Sequence, residues 1–152
     1  RGPDAYGIEL RGPVGLGHTR LSIIDLAGGV QPMSSADGNL TVTFNGEIFN
    51  YLELRQELID LGRRFSSNSD TEVLLQAYAQ WGEDCVTHFN GQWAFAIWDA
   101  RQQKLFMSRD RLGKRPLFYA IVGKTLLFAS EMKAILTYPG VAKSIDPVGL
   151  DQ

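Results

Sequence analysis

The sequence contains one cysteine, Cys85, among 152 residues. An internal disulfide is therefore excluded, as is any cysteine-rich zinc site. The two histidines, His18 and His88, lie far apart, and no spacing of His, Asp and Glu suggests a metal centre. Positive charge is not in excess. A formal net charge of −2 provides no electrostatic reason to expect nucleic acid or an anionic membrane surface as partner. No apolar run approaches the length needed to cross a bilayer, and Arg1-Gly2-Pro3-Asp4 resembles no targeting segment. Nucleotide-binding glycine loops are missing too. Gly15-x-Gly17 has no third glycine, and Gly113-Lys114 lacks both the Walker glycine and the Ser or Thr.

What is present is an ordinary globular composition, 44% apolar and 21% charged, in a chain long enough to bury one core. Arg109, Arg111, Lys114 and Arg115 cluster, but Asp99, Asp110 and Glu131 accompany them, so the cluster reads as a solvated loop rather than a phosphate strip. The lack of an initiating Met and the closing run Ser144-Ile145-Asp146-Pro147-Val148-Gly149 lead us to expect a piece of a longer protein. Residues 1–140 are expected to form one domain, with 141–152 the start of a linker.

Patterning sketches the elements. Val14 to Ile24 is rich in apolar and β-branched residues and suits one or two short strands. Ser34 to Gly38 is a turn cluster, and Leu40 to Phe44 alternates as a strand does. Tyr51, Leu54, Leu58 and Leu61 share one helical face, with Asn50 as N-cap and Gly62 as stop. Ser69-x-x-Glu72 predicts a capping box for a second helix, whose stripe is Val73, Leu74, Ala77, Tyr78 and Trp81 and whose terminus is Gly82. Trp93 to Trp98 is apolar on both alternating faces, the pattern of a strand covered on both sides. Lys104–Ser108, Leu117–Val122 and Thr125–Ala129 are further strands, and Glu131 to Tyr138 is a short helix ended by Pro139-Gly140. Short links between adjacent strands, together with a helix pair, predict an α+β domain with antiparallel sheet between layers.

Four candidate features carry chemistry, and each has a plainer reading beside it. Asn45-Gly46-Glu47 follows a strand and precedes a helix. It is either an ordinary Asn-Gly turn or an oxyanion site made by a side-chain amide and a glycine N–H, where the missing Cβ admits a substrate. Arg20 is either a snorkelling edge residue or a bidentate grip on a carboxylate. Asp70 is either a first-turn acid favoured by the helix dipole or the receptor of an ammonium group. Cys85 and His88 could share a helical face as a thiol–imidazole pair, yet a lone cysteine among apolar residues is usually a packed small hydrophobe.

Taken in order, these residues resemble the glutaminase domain of glutamine-hydrolysing asparagine synthetases, a class II glutamine amidotransferase. The resemblance rests on Arg1-Gly2-Pro3-Asp4, His18 to Asp25, Phe44 to Asn50, Ser69 to Val73, Arg109 to Gly113 and Ala129 to Lys133. It implies a four-layer αββα N-terminal-nucleophile hydrolase fold, with antiparallel sheets between helical layers and the N-terminal strand missing. By position it implies that Arg20 grips the glutamine α-carboxylate and Asp70 takes the α-ammonium. Asn45 and Gly46 would stabilise the oxyanion, and Leu21, Ile23 and Glu47 would line the pocket. The family's nucleophile, a cysteine at the mature N-terminus, has no counterpart in this sequence, because Cys85 does not match it.

The expected function follows from that resemblance. The domain would bind L-glutamine, and the parent protein would hydrolyse it to glutamate and pass ammonia to a C-terminal ATP-dependent synthetase domain of the same chain. This chain by itself would be inactive. No cofactor is expected in this domain, while ATP and Mg are expected only in the synthetase domain. A cytoplasmic location is expected, and a homodimer is compatible with the resemblance. The alternative is a non-catalytic glutamine-binding or interaction module of the same fold.

Overall fold

The structure is a computed structural model that describes residues 5–20 and 29–144, with Arg20 described by its backbone only. The chain divides into two compact units, Arg1–Arg115 and Pro116–Gln152.

Among the described residues, the first unit contains six strands and two long helices. Strands β1 (Ala5–Arg11) and β2 (Val14–Arg20) form an antiparallel pair, with Gly7 opposite His18 and Ala5 opposite Arg20. A four-stranded antiparallel sheet runs β3 (Met33–Ser34), β4 (Leu40–Ile48), β5 (Gly91–Asp99) and β6 (Lys104–Arg109), in that spatial order. Helices α1 (Tyr51–Asp60) and α2 (Asp70–Trp81) pack on one face of it, and a 3₁₀ segment, Gly82–Thr87, leads back to β5. The α+β class with antiparallel sheet agrees with the expectation.

The core lies between those helices and that sheet. Val42, Phe44 and Ile48 of β4 and Trp93, Phe95 and Ile97 of β5 meet Leu54, Leu58, Val73, Leu74, Ala77 and Tyr78 from the helices. On each strand these residues are separated by even numbers, so they share a face, as the pleat requires. The intervening residues Ala94, Ala96 and Trp98 are buried as well, so β5 is covered on both sides as its composition predicts. On the face of β4 away from the helices, Thr43 meets β2. The Thr43 hydroxyl lies 3.3 Å from His18 Nδ1, which sets the β1–β2 pair against that face.

Helix ends follow their signals only in part. Gly62 stops α1 as predicted, with φ of +87° and its N–H bonded to Ile59 O. Asn50 stands at the N-cap of α1, but its side chain makes no cap bond. The amide instead donates to His88 O at 3.0 Å and accepts Asn90 N–H at 2.9 Å, tying the helix start to the approach of β5. The capping box is half made. Ser69 accepts the Thr71 N–H at 3.1 Å, but Glu72 reaches past Ser69 to the backbone and hydroxyls of Ser66 and Ser67. Those two residues offer four donors, which outcompete one backbone N–H.

Two strands escaped the sequence patterns, β1 and the two-residue β3. The expected strand Val14–Ile24 is realised as β2 up to Arg20, and residues 21–24 lie outside the described residues.

The second unit contains the antiparallel pair β7 (Phe118–Val122) and β8 (Thr125–Ala129), turned at Gly123 with φ of +61°, and a one-turn helix α3 (Met132–Ile135). The helix expected over Glu131–Tyr138 is thus shorter. The Thr137 hydroxyl donates to Ala134 O at 2.7 Å, and the following backbone bonds span three residues, not four.

Candidate functional site

Asn45-Gly46-Glu47 is not a turn. It continues β4 in register, opposite Ala94, Trp93 and Gln92 of β5. The Asn-Gly turn preference is overridden because nine residues of β5 pair with β4 without interruption.

The short β3 decides what happens on the other side of β4. It pairs only with Val42 and Thr41. Beyond that point the lateral groups of β4 meet side chains. Phe44 N–H donates to Gln31 Oε1 at 2.7 Å, and Ile48 N–H donates to Asp70 Oδ2 at 3.2 Å. Backbone N–H groups in an antiparallel strand alternate in direction. Gly46 N–H therefore points to the same margin as those of Phe44 and Ile48, between Gln31 and Asp70. Asn45 and Glu47 lie on the face that carries Thr43, by the same alternation.

The glycine at position 46 is demanded from behind. A Cβ there would run into the Gln92 carbonyl oxygen, and would lie 2.7 Å from the Phe44 ring and 2.8 Å from Trp93 Cα. The strand–strand approach, not only room for a guest, requires glycine. Gly91 is the counterpart on β5, where a Cβ would strike the Glu47 carbonyl and come within 3.0 Å of Ile48 Cα.

Asp70 opens α2 and is buried, 7% exposed. Burial pushes its carboxyl above the usual range, opposed by the N–H groups of Ile48 and Thr71, and the Glu47 carboxylate adds to the rise. A buried carboxylate next to a second one is poorly compensated, and a cationic guest would relieve both. The dipole reading of Asp70 is not displaced, since it also occupies the first turn of a helix.

The other predicted site residues stand differently. Arg20 ends β2 opposite Ala5, with its side chain outside the described residues; Leu21 and Ile23 lie outside them altogether. The structure thus brings together Asn45, Gly46, Glu47 and Asp70. Sequence reasoning missed Gln31, whose only advance signal was its place before Pro32.

The Cys85–His88 pair is overturned. Cys85 is fully buried, and burial pushes its thiol up to about 12. The His88 ring stacks flat on Trp81, centroids 3.9 Å apart. A thiol in that setting is a packing group. The basic cluster also resolves into local structure. Asp110 accepts N–H groups from Trp93, Leu112, Lys114 and Arg115, and Arg109 donates to the carbonyls of Gly113 and Arg115. Among the described residues, no group of three or more His, Cys, Asp or Glu could hold a metal ion, and no helix is long and apolar enough to cross a membrane.

Comparison with known proteins bears on this geometry. Residues 1–152 match the glutamine amidotransferase domain family. Asparagine synthetase [glutamine-hydrolyzing] 3 of Bacillus subtilis is 46% identical, covering 100% of this chain and 25% of its own length. A putative asparagine synthetase [glutamine-hydrolyzing] of Methanocaldococcus jannaschii is 40% identical over 94% of this chain and 31% of itself. An amidase of Gibberella zeae is 39% identical over 91% of this chain and 21% of itself. The chain spans about a quarter of the length of the curated relatives it matches. Among solved structures, the glutamine phosphoribosylpyrophosphate amidotransferase of B. subtilis, complexed with ADP and GMP, aligns with a TM-score of 0.68 and 28% identity. That alignment covers 80% of this chain and 28% of the other. The fold is thus the N-terminal-nucleophile amidotransferase fold, and this chain belongs to the glutamine amidotransferase domain family.

Proposed function

We propose that this chain binds L-glutamine along the margin of β4 and that, in its natural protein, the bound side-chain amide is hydrolysed to glutamate and ammonia. The observation that carries this reading is the Gly46 N–H, directed between Gln31 and Asp70 by the alternation of β4. In the proposed assignment Gly46 N–H and the Asn45 amide meet the oxyanion, and Asp70 takes the α-ammonium. Glu47 lines the pocket, with Leu21 and Ile23, and Arg20 grips the α-carboxylate.

Hydrolysis runs through attack of a cysteine thiolate on the amide carbon. The C–N bond breaks as the leaving nitrogen takes up the proton given up by the thiol and departs as ammonia. Water then cleaves the thioester to free glutamate and restore the thiol. Cys85 is not that thiol, so the residues described here bind and polarise the substrate but do not attack it. The ammonia would pass to an ATP-dependent synthetase domain in the same chain, which would hold ATP and Mg. That assignment is supported by relatives several times longer than this chain and named as glutamine-hydrolysing synthetases. Relatives named as amidases carry the same domain, so the donor side is set here and the acceptor elsewhere. A cytoplasmic location and a homodimer belong to the same proposal.

A second reading is a glutamine-binding module of the same fold without hydrolysis, to which the burial of Cys85 is indifferent. Glutaminase assay of the natural full-length protein, with calorimetric titration of L-glutamine, separates the two. Turnover supports the enzyme. Binding without turnover supports the module, and the absence of both sinks the glutamine site.

A further inference from the structure

Gln31 lies before β3, and its side chain reaches two elements that the candidate site depends on. Its Oε1 accepts Phe44 N–H at 2.7 Å, and its Nε2 lies 3.3 Å from Thr71 Oγ1. The orientation of the amide is set by chemistry, because a backbone N–H can meet only the oxygen. Phe44 directly precedes Asn45, and Thr71 directly follows Asp70. One amide therefore bonds the immediate neighbour of each half of the site.

The backbone of Gln31 is held as well. A Cβ on Gly7 would collide with the Gln31 carbonyl, so β1 lies directly against it. Gly7 pairs with His18, and His18 meets Thr43 of β4. The contacts thus close a ring from β4 through β2 and β1 to Gln31 and back to β4, with a branch to α2.

The geometry points to Gln31 as a positioning residue for glutamine hydrolysis, and this inference rests on the function proposed above. Asp70 and Gly46 would hold opposite ends of one amino acid, so their separation must match its length. Gln31 sets that separation by pinning β4 two residues before Gly46 and α2 one residue after Asp70. If the pin is lost, the α-ammonium still finds Asp70, but the carbonyl oxygen is no longer aligned with the Gly46 N–H. A displacement of about 1 Å at a reacting centre costs on the order of 100-fold in rate. The loss should therefore appear in kcat rather than KM.

The test measures L-glutamine hydrolysis by the natural full-length protein and by Gln31→Leu, Thr71→Val and Thr71→Ser. Positioning predicts that Gln31→Leu and Thr71→Val each lower kcat about 10- to 100-fold, with KM within about threefold. Thr71→Ser, which keeps the hydroxyl, should recover kcat relative to Thr71→Val. Should Gln31→Leu fail to fold, the Thr71 pair carries the comparison. Unchanged kcat in both Gln31→Leu and Thr71→Val overturns the inference, as does a rise in KM alone. A wild-type protein without glutamine turnover instead overturns the reading on which it rests.

Discussion

The Asp70 carboxylate accepts the Ile48 N–H at 3.2 Å, joining the first residue of α2 to the last residue of β4. Two positions along the helix, Glu72 is equally buried but bonded to two serines. The two acids are shifted in opposite directions, Asp70 upward and Glu72 downward.

For Asp70 the folded pKa lies above the unfolded one. The fold then holds the proton more tightly than the open chain, and stability falls as pH rises through the interval between the two values. Asp70→Asn should remove that fall and leave the melting temperature at pH 7 equal or higher. The same variant should weaken L-glutamine binding about 10- to 100-fold, the worth of a charged hydrogen bond. A lower melting temperature with unchanged affinity would show Asp70 to be structural alone.

Glu72 behaves inversely. Burial raises its pKa more than any other single cause, but the bonds from Ser67 and Ser66 together hold it below the usual range. Its stabilisation is present above the unfolded value and is lost as pH falls through the folded one. Glu72→Gln should cost about 1–3 kcal/mol at neutral pH, read by urea unfolding, and should flatten the acid limb of the stability curve.

Asn45→Ala should lower the rate of glutamine hydrolysis in the natural protein by about 10²- to 10³-fold, with KM little changed, as removal of one oxyanion donor does elsewhere. Equal losses in binding and rate would instead assign Asn45 to ground-state contact with the substrate.

Cys85 should be silent toward thiol reagents in the folded chain and react with one equivalent after denaturation, because its thiol stays protonated at any working pH. Cys85→Ala should leave hydrolysis intact. Rapid labelling of the native state would contradict the burial.

The elements with local signatures were legible in the sequence. The apolar stripe of α2, the buried Leu54 and Leu58 of α1, the stop at Gly62 and the doubly apolar β5 all depend on neighbours a few residues away. Leu61, expected on the α1 stripe, instead falls at the helix C-cap and is 50% exposed. The extent of β4 was not legible, because only pairing with β5, some fifty residues on, keeps Asn45-Gly46 extended. Strand β1 was hidden by an inverted pattern. Its apolar residues Tyr6, Ile8 and Leu10 are 84%, 74% and 77% exposed, while Glu9 turns inward to Ser34. For the site, Asn45, Gly46 and Asp70 are pointed to by family resemblance alone, since each has an equally good local reading as turn or helix-start residue. Gln31 and the four-donor grip of Asp110 depend on how loops close, and no spacing encodes that.

Gly46 and Gly91 face each other's strand diagonally, each against main-chain atoms of the other. Neither can be rescued by trimming a side chain, since no side chain is the main obstacle. Loss of catalysis would not release either position. A descendant of this domain would still have to retain both glycines to keep β4 and β5 paired. Within such a lineage the second letter of Asn-Gly reports a folded sheet, whatever becomes of the chemistry.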